Sequence, residues 1–477
     1  MSTPISDFSS EAVRKQQKRD ITSMSAESNN STEFPHTQDE LKQLATDILG
    51  HAKKLGATGA MTKISEGNGR SVSVRRSDLE TIKHTRDRRI GVTVFVGNRS
   101  GTASTSEFSE TAMKDTVAAA YHIARFTAED SAERLPEEDL LEYTPPDLDL
   151  HHPWHLPGGD AAALARCAED AAFAVNPQIC NSDGASVSSE NKQLMLATSN
   201  GFMGGYASSR HTISCVPIAG SDRLMQRDRW HTSKRHPEDL ATPEAVGRYA
   251  AERALARVGA RRLDTCKVPV LFEAPLAVGL LNTFAQAVTG GALYRKTSLL
   301  VNSLGRQVFS PHVQIVEDPH VPREMGSAPF DGEGVGTRRR SVVLDGVVAG
   351  YFLSTYSARK LGMRATGNAG GPHRLTLRST RTQAADDFHA MLNLLDTGLL
   401  VTTLLGQGVN ILTGDYSRGA AGFWVEHGVI QYPVEAITVA GTLQEMFRQI
   451  VAIGADSIVQ GPIESGSILI EQMTVAC

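Results

Sequence analysis

The densest group of potential metal ligands in the sequence is His151-His152-Pro153-Trp154-His155, three imidazoles within one short segment. Three histidines can hold a zinc ion. Here two of them are adjacent and Pro153 interrupts the third, so the one-turn spacing of a zinc helix cannot arise. No acidic residue stands at a motif spacing, and the plainer reading is a surface loop. The chain contains no H-E-x-x-H, H-E-x-x-x-H or H-x-x-E-H, and no Gly-x-Ser-x-Gly nucleophile elbow. Gly332-Glu333-Gly334-Val335-Gly336 lacks the strand before and helix after it that a dinucleotide site needs, and it lacks a P-loop lysine, so it reads as turn geometry.

A second segment is richer in chemistry. From Gly414 to Glu426 the residues Asp415, Tyr416, Ser417, Arg418 and Glu426 alternate with small side chains. Asp415 and Arg418 are expected to pair, and Trp424 to pack on the core. Two readings stand here: a functional turn, because Gly-rich loops often carry function, or a polar structural network.

These groups need a scaffold. Thr37-Gln38-Asp39-Glu40 forms a capping box, and Leu41, Leu44, Ala45, Ile48, Leu49, Ala52 and Leu55 continue it at helical spacing up to Gly56. Strands are expected at 60–64, 71–74, 79–84 and 91–96, with turns at Gly67-Asn68-Gly69 and Asp87-Arg88-Arg89. A helix over 107–126 follows. An acidic, Pro-rich connection occupies about 128–160, then come a helix at 160–175, strands over 178–219 punctuated by turns at Asp183-Gly184, Asn200-Gly201 and Gly204-Gly205, and a helix at 243–258. Lys267–Phe272 reads as a buried strand opening a second domain, followed by a helix at 275–288. Strands and Gly turns run to the end, with one more helix at 442–450. Residues 1–36 are Ser-, Thr- and Asn-rich with few large apolar groups, which predicts a disordered tail. The expected domains are therefore 37–265 and 266–477.

Composition narrows the function. Lys plus Arg is 48 against 53 Asp plus Glu, a net charge of −5, which argues against a dedicated nucleic-acid binder. No apolar run approaches a membrane span. The five cysteines, Cys167, Cys180, Cys215, Cys266 and Cys477, show no C-x-x-C spacing and point to a cytoplasmic chain with reduced thiols.

Several long motifs, in one order, resemble the TldD/PmbA family and its PmbA (TldE) branch. They are Gly414–Glu426 with Gln431-Tyr432-Pro433-Val434-Glu435, Pro329–Val335, Tyr351–Gly362, Ala365–Gly371 and Gly290–Ser298. The resemblance runs from about residue 37 to the C-terminus. It implies an α+β fold: an N-terminal α/β domain with a mixed sheet, and a C-terminal, strongly twisted, mainly antiparallel β domain. It also implies proteolysis of unfolded peptides, including microcin precursors, by a heterodimer with a TldD-type subunit. That partner holds zinc on a His-Glu-x-x-x-His helix, where the Glu acts as base on a zinc-bound water. In this sequence the corresponding positions are Asn282, Thr283 and Ala287. The resemblance therefore implies no metal, no cofactor and no catalytic residue in this chain, zinc in the partner, and a role in completing a peptide chamber. Asp331, Glu333, Asp415, Tyr416, Ser417, Arg418 and Glu426 are the candidates for chamber lining or subunit interface. Two alternatives remain: a peptide-binding scaffold without proteolytic activity, and a self-sufficient hydrolase built on Asp415, Tyr416 and Arg418.

Overall fold

The computed structural model describes residues 33–221 and 225–476. Residues 1–32 of the expected tail lie outside them. The remaining tail residues are packed rather than free: Asn68 donates to the Glu33 carbonyl at 2.7 Å, and the His36 ring meets the buried Glu66 carboxylate at 2.7 Å. Helix α1 (Gln38–Lys54) starts on the predicted capping box, with Thr37 and Glu40 bonded reciprocally.

A long hairpin dominates the first sheet. Strands β1 (Gly59–Arg75) and β2 (Asp78–Val96) run without interruption through both expected turns, since Gly67 pairs with Asp87 and Gly69 with Thr85. The chain reverses instead at Arg76-Ser77, both left-handed (φ 52° and 65°), as a two-residue hairpin needs. Neither residue favours that conformation. The cause is Glu169, whose fully buried carboxylate accepts the Arg76 N–H at 3.0 Å and the Ser77 N–H at 2.8 Å.

β3 (Arg99–Thr105) follows, then α2 (Glu110–Phe126) and α3 (Gly158–Phe173). β4 (Ile179–Thr198) and β5 (Met203–Ala219) form a second long hairpin around the expected Asn200-Gly201 turn, whereas Asp183-Gly184 and Gly204-Gly205, also expected as turns, lie inside β4 and β5; β6 (Gln226–Arg227), β7 (Trp230–Lys234) and α4 (Pro243–Ala256) follow. The order is β3-β2-β1-β4-β5-β6, with β7 beside β5. Every pair is antiparallel, so this sheet is not mixed as expected: tight turns join β1 to β2, β2 to β3 and β4 to β5, and β1 and β4, though separated in sequence by α2 and α3, also run antiparallel. Helices α1 and α2 cover one apolar end of the sheet, and α3 and α4 the other.

The parallel pairs lie in the C-terminal half. Its elements are β8 (Cys266–Phe272), α5 (Ala274–Ala287), α6 (Gly290–Tyr294), β9 (Val313–Glu317), β10 (Arg340–Leu344), β11 (Val347–Val348), α7 (Thr355–Leu361), β12 (Leu375–Ser379), α8 (Phe388–Leu395), β13 (Gly398–Leu405), β14 (Asp415–Glu426), β15 (Val429–Thr442), α9 (Leu443–Arg448), β16 (Ile450–Ile453), β17 (Ile458–Gln460), β18 (Ile463–Ser465) and β19 (Ile468–Ala476). One sheet runs β11-β10-β9-β12-β18-β17 and another β15-β14-β13-β8-β19-β16. β15 also pairs with β19, closing five strands into a ring. The apolar α5 packs into the largest core cluster between these sheets, burying Ala277, Leu281, Phe284 and Ala285. The class is α+β. The four described cysteines are free thiols, and among the described residues no helix is long and apolar enough to cross a membrane.

Candidate functional site

The Pro329–Val335 motif is a turn anchored from below by Phe330, whose ring packs edge-on against Phe202 at 5.0 Å and Tyr206 at 5.5 Å. Asp331 is 4% exposed. One of its carboxylate oxygens accepts the N–H groups of Glu333 (2.8 Å) and Val335 (3.0 Å), and the other accepts that of Ala369 (2.8 Å). Burial, reinforced by the Glu333 charge, pushes the Asp331 carboxyl up to about 7, against the pull of those three donors. Glu333 accepts the Thr355 N–H at 2.9 Å, at the start of α7; burial raises its carboxyl, opposed first by that bond.

The turn is held by residues that the sequence did not single out. Arg359, on α7, donates to the carbonyls of Ala132 (3.0 Å), Arg134 (2.8 Å) and Leu135 (2.6 Å) and to Glu137 (3.1 Å). One turn away, Tyr356 donates to Asp130 at 3.0 Å and Lys360 pairs with the same carboxylate at 2.7 Å. Leu141 forms a bridge with Val335. The acidic connection is thus clamped onto the Asp331 turn and α7. Its acidic run was visible in the sequence, but its partners lie 222 to 230 residues away and carried no local signal.

The pKa of Asp331 gives a signed expectation. A carboxyl raised in the fold favours the folded state while protonated, so its contribution is largest below the unfolded value of 3.8 and falls as pH rises toward about 7. Asp331→Asn sets an amide donor against the Ala369 N–H, so it destabilises throughout. Its deficit relative to wild type is expected to shrink from pH 4 to pH 7, read as the gap between urea midpoints; a constant or widening gap contradicts the assignment.

The Gly414–Glu426 motif is β14, in a different place. Asp415 and Arg418 do not pair: residues three apart on a strand point to opposite faces. Thr413 donates to Asp415 at 2.5 Å, and Arg418 donates to the Gly406 carbonyl at 2.8 Å. Tyr416 is buried against Phe272, and burial pushes its hydroxyl up to about 12. Ser417 is exposed. Glu426 accepts from the Trp424 indole at 2.9 Å, and Trp424 packs on the main core. Among the described residues no hydrogen bond or ion pair links this strand to Asp331 or Glu333. The structure therefore brings Asp331 and Glu333 together and leaves Asp415, Tyr416, Ser417, Arg418 and Glu426 apart from them.

On α5, Asn282 is exposed, the Thr283 hydroxyl donates back to the Gly279 carbonyl at 3.0 Å, and Ala287 is 1% exposed in the core. The histidines of the 151–155 loop diverge: His151 meets Glu33 at 3.0 Å, His152 meets Asp149 at 3.1 Å, and His155 is exposed. Among the described residues no three His, Cys, Asp or Glu side chains are placed to hold a metal ion.

With this architecture in view, three family models match the chain: PmbA/TldA metallopeptidase domain 1 over residues 63–124, the central domain over 151–258 and the C-terminal domain over 265–477. The chain belongs to the PmbA/TldA metallopeptidase family. Within it the chain falls in the PmbA/TldE branch. It is 41% identical to the Metalloprotease PmbA homolog of Haemophilus influenzae over 450 residues, covering 94% of this chain and 98% of the relative. It is 42% identical to Metalloprotease PmbA of Escherichia coli O157:H7 over 418 residues, 88% and 92% of the two chains. A Metalloprotease TldD homolog of H. influenzae is 26% identical over 209 residues, 42% of this chain and 43% of that one. Among solved structures, a candidate modulator of DNA gyrase from Bacteroides thetaiotaomicron superposes with TM-score 0.86 at 25% identity, covering 92% of this chain and 99% of that one. TldE from Thermococcus kodakarensis shares the fold, with TM-score 0.76 at 16% identity over 91% and 100% of the two chains.

Proposed function

We propose that this chain is the zinc-free subunit of a two-subunit metallopeptidase that cuts unfolded peptides, its partner being a TldD-type chain that carries the zinc. The observation that carries this reading is α5. The family is a metallopeptidase family, yet the three positions that correspond to the zinc helix are an exposed amide, a hydroxyl bonded to its own helix and a buried methyl. These residues do not fit a zinc ion, which needs three or four imidazole, thiolate or carboxylate donors converging on one point. The chain's contribution is therefore to bind, position and enclose. The clamped turn of Asp331 and Glu333 suits that role, because every Asp331 oxygen is already occupied by an N–H donor and braces the loop rather than acting as a base. The same reading makes the complex cytoplasmic and extends to the maturation of microcin-type precursors.

Complex formation tests it. Mixed with the TldD-type protein of the same organism, the chain is expected to elute from a sizing column as one species with the summed mass of two different subunits. Two unshifted peaks across the micromolar range would refute the subunit role and favour a stand-alone peptide-binding scaffold.

A further inference from the structure

The middle of the first sheet is polar where its two ends are apolar. Directly opposed residues on neighbouring strands share a face. On the helix-covered face β1 presents Ala60, Thr62 and Ile64, then Glu66, Asn68 and Arg70, then Val72 and Val74. Against the middle three, β2 sets Arg88, Arg86 and His84, and β4 sets Gln193, Asn191 and Ser189. Helix α1 reaches this row only at its end, where Gln38 donates to Gln193 at 2.9 Å. Over it opens a cleft of about 1130 Å3, with Phe34 and Pro35 at one wall and Trp154 and His155 at another.

Two observations single out the β2 side of this cleft. The first is that β2 pairs with β3 only from Ile90 onward. Among the described residues, nothing pairs with the outer side of 78–89, and every residue there except Thr85 is exposed. Such an edge presents a row of unpaired backbone N–H and C=O groups, a template for another strand. The second is that Arg86 and Arg88, two residues apart on the cleft face, make no hydrogen bond or ion pair among the described residues; Arg88 only lies over the Phe108 ring, at 5.7 Å. Of the carboxylates lining the cleft, Glu66 is held by His36 and by Gln193 at 3.0 Å, and one Glu33 oxygen meets His151 at 3.0 Å while the other is unbonded. Asp87, between the two arginines in sequence, belongs to the opposite face of the strand. Asn191, 7% exposed, lines the same cleft with its side-chain oxygen unbonded.

We propose that the free edge of β2 takes up an extended polypeptide segment as an added strand, and that it prefers segments with Asp or Glu at two alternate positions facing Arg86 and Arg88. Main-chain pairing supplies affinity for any extended peptide. The period of two in a strand matches the spacing of the two arginines, so acidic side chains at positions i and i+2 meet both guanidinium groups above the cleft. This deepens the subunit reading by naming where, and for which peptides, this chain holds substrate. Its test reads binding by the chain alone, so its failure leaves the mixing experiment untouched.

The test titrates the full chain, at low salt, into three short labelled peptides followed by fluorescence anisotropy. One alternates Glu with Thr, one alternates Lys with Thr, and one is the Glu peptide with alternate backbone nitrogens methylated. The same titrations use R86Q/R88Q, whose exposed side chains leave the fold intact, as an unchanged urea midpoint verifies. The alternating Glu peptide is expected to bind best, the methylated form to bind at least tenfold more weakly, and the double variant to lose about fivefold through two exposed ion pairs. Equal binding of the Glu and Lys peptides, full binding of the methylated peptide, or unchanged affinity in R86Q/R88Q would each overturn the proposal.

Discussion

Replacing Arg253 with methionine is expected to cost about 3–5 kcal/mol of stability, because it strands the buried Glu273 carboxylate and leaves Asp228 only its contact with Arg257, at 3.7 Å. Arg253 lies on α4, in the half of the molecule built around the first sheet. It reaches Glu273, at the junction of β8 and α5, through contacts of 2.5 and 3.1 Å, and Asp228 at 3.4 Å. The three side chains are only 10 to 12% exposed. The guanidinium also lies over the rings of Trp230 (5.4 Å) and Tyr249 (5.8 Å). Burial alone would favour losing the proton, but Glu273 and then Asp228 outweigh it and hold the charge in place. Methionine fills the volume without answering either carboxylate. Lysine restores a charge but not the forked geometry, so Arg253→Lys should fall between the two. Urea unfolding followed by fluorescence checks the order wild type, lysine, methionine. A loss under about 1 kcal/mol for methionine would show that the cluster is solvated and not a bridge between the two halves.

The second large effect reverses an ordinary sign. Glycine to alanine inside a helix normally stabilises by roughly 0.5–1 kcal/mol. Gly247 lies in α4 where it crosses α3, and a Cβ there would stand 1.8 Å from the Ala168 carbonyl oxygen, well inside contact distance. Gly247→Ala must force the two helices apart, opening the Ala-rich seam formed by Ala165, Ala168, Ala250 and Ala251. The expected cost is about 2–3 kcal/mol. Gly50, exposed on α1 with nothing within 4 Å of the same construction, is the internal control, and Gly50→Ala should stabilise. Thermal melts of the two variants should shift in opposite directions. A shared upward shift would mean that the α3–α4 contact relaxes freely.

How much of this was legible in the sequence depended on the distance between cause and effect. The capping box at Thr37 and Glu40 is complete within four residues, and the helix begins where it says. The Asn200-Gly201 turn was equally local. Gly67-Asn68-Gly69 carried the same kind of signal and yet lies mid-strand, because β4 pairs along its other side through Lys192, Asn191 and Glu190. The true reversal at Arg76-Ser77 depends on Glu169, more than ninety residues onward, and no turn propensity marks it. Asp415 and Arg418 stand three residues apart, a spacing that a turn would let pair and the period of a strand does not. At the site, the Asp331 and Glu333 turn was identified from its motif, while Tyr356, Arg359 and Lys360 sat inside a quoted motif without a role until the acidic connection was found folded onto them. The polar middle row of the first sheet was readable only once register was known, since Glu66, Arg86 and Asn191 come from three strands.

The division of labour between a zinc-bearing and a zinc-free subunit is tested most directly by cleavage of an unstructured peptide, with the metal content of each protein measured alongside. This chain alone should contain no stoichiometric zinc and leave the peptide intact. Mixed with the TldD-type protein of the same organism, it should support cleavage that a chelator abolishes. Stoichiometric zinc in this chain, or cleavage by it alone, would contradict the account and place the catalytic centre in residues other than those of α5.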